Sequence, residues 1–129
     1  MLPFLIELKT GDSPFRQVVY AATRAIVSGE MSAGEAFPSV RELSQELKIN
    51  PNTAHKIVAE LVRERLLLVV AGVGTIVARP STNVSGAQRE SLSAAIESLV
   101  VDARRTGATK SELIAMITQQ WKHLFGAKS

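Results

Sequence analysis

Residues 37–66 read FPSVRELSQELKINPNTAHKIVAELVRERL, and the spacing of their apolar and capping positions decides the fold. Ser39 and Glu42 stand in the S-x-x-E arrangement of a capping box, in which the serine oxygen and the glutamate each satisfy a backbone N–H left over at a helix start. Val40, Leu43, Ser44 and Leu47 then recur at offsets 0, 3, 4 and 7, one face of a short helix. The KIN stretch at 48–50 is a turn. Asn50 followed by Pro51 opens another helix: asparagine caps, and proline at the first helical position gives up an N–H that had no partner. At about 100° per residue, Ile57, Val58, Leu61 and Val62 fall within about 80° of Ala54, while Asn52, Lys56, Ala59 and Arg63 gather on the opposite side. A short helix, a tight turn and a longer helix with a clean polar face make a helix-turn-helix pattern.

Upstream, Ser13 and Pro14 predict the start of a first helix, with Ser13 accepting a backbone N–H, a buried stripe of Val18, Val19, Ala22, Ala25 and Ile26, and an end at Gly29. Residues 30–37, EMSAGEAF, predict a polar turn followed by a short extended piece. Downstream, LLLVVAGVGTIVAR at 66–79 changes to β-rich composition, and 67–70 can pair with 75–78 as a hairpin around AGVG, where glycine supplies the positive φ such turns need. The hairpin is a wing. The expected fold class is mainly α with a small β-wing: a winged helix-turn-helix domain at 1–79, a linker at 80–88 by composition, and a helical region at 89–129.

In that last region Leu92, Ala95, Ile96, Leu99, Val100 and Ala103 mark a fourth helix that stops at Gly107. Thr109 and Glu112 repeat the capping-box spacing and open a fifth, with Leu113, Ile114, Ile117, Trp121 and Leu124 on its apolar side. Two helices cannot cover both stripes by themselves, and each large aliphatic side chain gains about 1.5 to 3 kcal/mol on burial. The expected partner is the same two-helix hairpin from a second copy, with Leu92, Ile96, Leu99, Val100, Leu113, Ile114, Ile117, Trp121 and Leu124 in the dimer contact. Trp121 is read as a dimer-core anchor rather than a ligand-stacking ring because it shares a stripe with Ile117 and Leu124.

The chain has 129 residues, 46 % of them apolar, enough for one modest core or a small domain with an accessory element. The first ten residues lack the basic start and long apolar run of a secretory signal, and no stretch reaches the roughly 18 apolar residues of a membrane span, so a cytoplasmic location with no membrane partner is expected. The absence of cysteine excludes disulfides, thiolate metal sites and a cysteine nucleophile, and His55 and His123 lie far apart, so no metal or cofactor is expected. A net charge of +3 and a pI near 9.6 mildly favour an anionic partner. Residues 39–65 hold five basic groups (Arg41, Lys48, Lys56, Arg63, Arg65) against four acids (Glu42, Glu46, Glu60, Glu64), so the placement of charge matters more than its total.

The ordered pieces SPFRQV, Gly29, Gly34, FPSVRELSQELKINPNTAHKIVAELVRERLL and GVGTIV, spanning residues 10–79, resemble the DNA-binding domain of GntR-type bacterial transcription regulators. The NPNT motif with a short two-helix tail resembles the YtrA-like branch of that family. The resemblance implies a homodimeric, sequence-specific regulator, a repressor, bound to a palindromic double-stranded operator with helix 51–64 in the major groove. It implies that Ser39 and Arg41 hold phosphates at the start of the second helix. Asn52, Thr53, His55 and Lys56, with Asn50 beside them, would face base edges and adjoining phosphates. Gly72 and Gly74, with Thr75, would let the wing backbone approach the minor groove. This sequence departs from the family at three places: Val69, Val70 and Ala71 replace the usual basic residues before the wing glycines, Arg65 stands where glycine commonly ends the third helix, and Val58 where an aromatic is common.

Each site residue also has a plainer role. Arg41 could pair with Glu42 or Glu46, His55 could be a boundary residue of the polar face, and Gly72 and Gly74 could be turn glycines only. The alternative function is a winged-helix protein-interaction module without specific DNA binding, motivated by the apolar wing. An enzyme is disfavoured: GVG lacks the lysine and the strand-to-helix context of a phosphate loop. No effector is named by the residues, because a tail committed to dimer packing leaves little room for a pocket.

Overall fold

A computed structural model describes residues 1–80 and 85–126. The chain divides into two compact units, Met1–Pro80 and Ser81–Ser129. The first contains α1 (Pro14–Val27), α2 (Val40–Leu47), α3 (Pro51–Arg63), β1 (Leu67–Val70) and β2 (Gly74–Val77). The second contains α4 (Gly86–Arg105) and α5 (Lys110–Phe125). With five helices and one two-stranded antiparallel sheet among the described residues, the protein is mainly helical.

In the first unit α3 is the centre: α1 and α2 both pack on it, and its C-terminal part meets β1. The core draws Val18, Ala22, Ala25 and Ile26 from α1, Leu43 from α2, Ala54, Ile57 and Leu61 from α3, and Leu67 and Val77 from the wing. The expected α1 stripe is buried except Val19, which is half-buried. Ser13 sits at the N-cap of α1, but its hydroxyl accepts no helix N–H, contrary to the capping expected. Instead the Gln17 side chain reaches back to bond the backbone of Lys9 at 2.8 and 2.9 Å and Asp12 at 3.1 Å, tying down the segment before the helix. In that segment Leu2, Phe4, Ile6 and Leu8 turn inward on alternate positions, and Phe4 stacks on Phe37 with ring centroids 6.0 Å apart.

Both expected turn chemistries of the helix-turn-helix are present. The Ser39 hydroxyl accepts the Glu42 N–H at 3.1 Å while the Glu42 carboxylate accepts the Ser39 N–H at 3.2 Å. Lys48 closes α2 in the left-handed region at φ 53°, and Arg65, after α3, adopts φ 62°. They are the two non-glycine residues with positive φ among those described. Arg65 therefore has the conformation that glycine supplies without strain.

The wing pairs Leu67 with Val77 through Val70 with Gly74. β2 thus begins one residue earlier than the expected 75–78 and ends at Val77, and the Ala78 N–H continues the same register by bonding the Leu66 carbonyl at 3.0 Å. The extended piece before α2 lies along the other edge of β2: Gly34 and Phe37 donate to Val77 and Thr75 at 2.8 and 2.9 Å, and Ala36 bridges Ile76.

In the second unit α4 starts at Gly86, inside the stretch expected as linker at 80–88, of which residues 81–84 lie outside the described residues. The overlooked signal is a capping box: the Ser85 hydroxyl accepts the Gln88 N–H at 3.1 Å, and the Gln88 side chain accepts the Ser85 N–H at 2.8 Å. Thr109 and Glu112 form the expected box at the start of α5. The two helices scarcely contact each other, and neither holds a fully buried residue. Among the described residues no helix is long and apolar enough to cross a membrane.

Candidate nucleic-acid interface

α3 presents two faces of opposite character. Ala54, Ile57 and Leu61 are wholly buried, whereas Asn52, His55 and Lys56 are exposed and Thr53 is half-buried. The burial of one side against α1 and α2 orients the other outward, so the polar groups of the first two turns stand in solvent on a rigid support. Asn50 is divided between roles. Its side-chain oxygen accepts the Asn52 N–H at 2.8 Å and caps the helix, leaving only its amide nitrogen to offer a donor. Farther along the same helix, Arg63 is held by Glu60 at 2.6 Å and Glu64 at 3.2 Å, which raises its pKa above the ordinary arginine value. Its charge is answered locally, and the cationic character of the exposed α3 face rests on Lys56.

At the start of α2, Ser39 and Arg41 are exposed. The plainer role for Arg41, an ion pair with Glu42 or Glu46, does not occur: Glu42 is engaged in the capping box and Glu46 meets the Met1 ammonium. Arg41 makes no ion pair among the described residues.

Beside α3 lies a cleft of about 480 Å³ lined by Ser13, Phe15, Lys48, Asn50, Thr53 and Lys56, with Pro14 and Ile49. Sequence reasoning placed Asn50, Thr53 and Lys56 in the site but not Ser13 or Lys48. Ser13 arrives there through the packing of α1 on α3, a contact between residues far apart in the chain. The lysine in the turn was the one local signal.

In the wing, Gly72 and Gly74 have φ of 77° and 118°, and a Cβ added to either would meet nothing within 4 Å. Gly72 is the third residue of a turn closed by the Val73 N–H to the Val70 carbonyl at 3.1 Å, where a positive φ is required. The turn alone therefore accounts for it. Thr75 is half-buried and gives its carbonyl to Phe37. The surface around these glycines is apolar: Val69 is 64 % and Val73 72 % exposed.

In the second unit Leu92, Ile96, Leu99, Val100, Ile114, Ile117 and Trp121 are exposed, and Leu113 and Leu124 are half-buried. Trp121 meets Phe125 edge-on at 5.1 Å.

Comparison with known proteins places this geometry. The family model described as bacterial regulatory proteins, gntR family, matches residues 15–77. The chain is 26 % identical over 124 residues, 95 % of either length, to the HTH-type transcriptional repressor YtrA of Bacillus subtilis. It is 29 % identical over 89 residues to the HTH-type transcriptional regulator YhcF of the same organism, covering 69 % of this chain and 74 % of that one. Among solved structures, a transcriptional antiterminator from Listeria monocytogenes superposes with a TM-score of 0.82 at 24 % identity, over 98 % of this chain and 95 % of the other; at that identity it shows the fold.

Proposed function

We propose that this chain is a transcription regulator of the gntR family of bacterial regulatory proteins, whose model matches residues 15–77, and that it works through a helix-turn-helix DNA-binding domain as a homodimeric repressor of the YtrA-like branch. Two copies related by a twofold axis read a palindromic operator, each inserting the N-terminal end of α3 into the major groove, the two insertions roughly 34 Å apart. Repression follows where the operator overlaps a promoter.

The observation that carries this reading is the exposed polar start of α3 on a fully buried opposite face. Asn52, Thr53 and His55 offer hydrogen bonds to base edges, Arg41 and Ser39 serve phosphates, and the wing backbone at Gly72, Gly74 and Thr75 approaches the minor groove. The dimer is supported by the second unit, where α4 and α5 leave their apolar stripes uncovered and scarcely meet each other. A like pair of helices supplies matching apolar surface, and a twofold axis makes the contact self-complementary.

A gel-shift titration against the DNA upstream of the protein's own coding sequence tests the reading. Tight binding to a symmetric site over bulk DNA at moderate salt is expected, and equal affinity for both rejects it.

The exposed Val69 and Val73 favour a second reading, a winged-helix module that docks on another protein. The Arg41→Ala, Lys56→Ala double variant separates the two. Operator affinity falls steeply if DNA is read, and any partner contact through the wing is untouched.

A further inference from the structure

The cleft between the start of α1 and the first turns of α3 carries two cations, Lys48 and Lys56, and no acid among its described lining residues. A second groove along α1 is lined by Glu7, Asp12 and Glu30 as well as Lys9 and Arg24, so an acid-free lining is a property of this cleft and not of the surface generally. Neither Lys48 nor Lys56 forms an ion pair among the described residues. Ser13 brings a hydroxyl that caps nothing, and Asn50 brings the amide donors that its own capping bond leaves over. Lys48 stands at the helix-closing position where glycine or asparagine is usual, in a conformation that disfavours a side chain. A lysine kept there costs stability and keeps a cation at the rim.

We propose that this cleft holds one phosphodiester group of the DNA backbone, gripped by Lys48 and Lys56 and bonded by the Ser13 hydroxyl, on the strand that flanks the bases facing α3. The inference rests on the DNA-reading function proposed above and deepens it. A phosphodiester has one negative charge and two free oxygens, for which two ammonium groups and a hydroxyl supply an opposite charge and the donors. The cleft adjoins the exposed start of α3, so a strand whose bases meet Asn52 and His55 passes its rim. Lys56 is thereby assigned to backbone positioning, and sequence discrimination is left to Asn52, Thr53 and His55.

The test is a binding titration of the full chain and its Lys48→Ala, Lys48→Gly and Lys48→Arg variants at several salt concentrations, against the upstream operator and an unrelated duplex. Losing one phosphate contact lowers the log–log salt slope by about one. Lys48→Ala and Lys48→Gly are expected to show that drop and to weaken both duplexes by the same factor, on the order of tenfold. Lys48→Arg restores the slope. Lys48→Gly also melts higher than the parent, because glycine accepts the left-handed conformation, so its weaker binding does not come from unfolding. An unchanged slope in the alanine and glycine variants, with the parent still selecting its operator, overturns the assignment alone. Failure of the parent to bind any duplex overturns the DNA reading beneath it. The same oxyanion chemistry is present in a free phosphate monoester: micromolar binding of a nucleoside monophosphate, lost in Lys48→Ala, would make this a small-molecule site and overturn the proposal.

Discussion

The side-chain oxygen of Asn50 accepts the backbone N–H of Asn52 at 2.8 Å, so the two asparagines flanking Pro51 have different duties. One holds the helix start together and the other faces outward. Replacing Asn50 with alanine therefore removes about 1 kcal/mol of stability as a lost cap. Asn50→Asp keeps the cap and places a negative charge beside the backbone of the bound duplex. Its melting temperature should stay near the parent value while operator affinity falls. Asn52→Ala should leave stability unchanged and relax base preference at one position of each half-site, read by binding selection from a randomised duplex pool.

Arg41 and Ser39 can be separated in the same way. Arg41 has no ion pair among the described residues, so Arg41→Ala should change stability by no more than about 0.5 kcal/mol. The salt slope of operator binding should drop by about one. Ser39→Ala breaks the capping box and should cost about 1 kcal/mol in a denaturant titration.

Arg65 occupies φ 62° immediately after Glu64, the C-cap of α3. A left-handed residue bearing a Cβ costs roughly 1 to 2 kcal/mol, partly offset in a glycine replacement by the greater freedom of the unfolded chain. Arg65→Gly is expected to raise the denaturant midpoint, with a net gain of up to about 1 kcal/mol. A lower midpoint would show that the arginine side chain makes a compensating contact.

The helix-turn-helix was legible because its determinants are local: Ser39 with Glu42, Asn50 with Pro51, and an apolar period that brings Leu43, Ala54, Ile57 and Leu61 into one core. Where tertiary contacts decide, the sequence was less explicit. Residues 2–8 are fixed by contacts distant in sequence, the Phe4–Phe37 stack and the Gln17 side chain bonded to Lys9. Ser13 stands at the cap position but caps nothing, and it lines the cleft together with Lys48 from a separate part of the chain. Composition made residues 85–88 look like linker and hid their capping box, since glycine and serine signal both.

The Glu112 carboxylate accepts the Thr109 backbone N–H at 3.1 Å, which holds its pKa below the ordinary glutamate value of 4.5. Folding here favours the ionised form. Its contribution is therefore complete above the ordinary glutamate range and is lost as pH falls through the depressed folded value. Helicity followed by circular dichroism on acidification should fall less steeply in Glu112→Gln than in the parent. Equal steepness would mean that the cap does not respond to protonation.

Ile96 and Ile117 test the tail. They are 51 % and 46 % exposed on helices that bury no residue within their own chain. If a second copy covers them, an aspartate at either position places an unpaired charge in an apolar contact, which costs several kcal/mol and cannot be relieved by solvent. Ile96→Asp and Ile117→Asp should sediment as monomers at concentrations where the parent is dimeric. Ser98→Asp, exposed on the opposite side of α4, should not. Operator binding should follow the same order, because linking two heads makes the second insertion intramolecular and raises affinity by about a hundredfold or more. The aspartate variants should lose that factor on a full palindrome while binding an isolated half-site as the parent does. A monomeric parent, or an aspartate variant that still dimerises, would remove the twofold reading of the operator while leaving α3 as the reading helix.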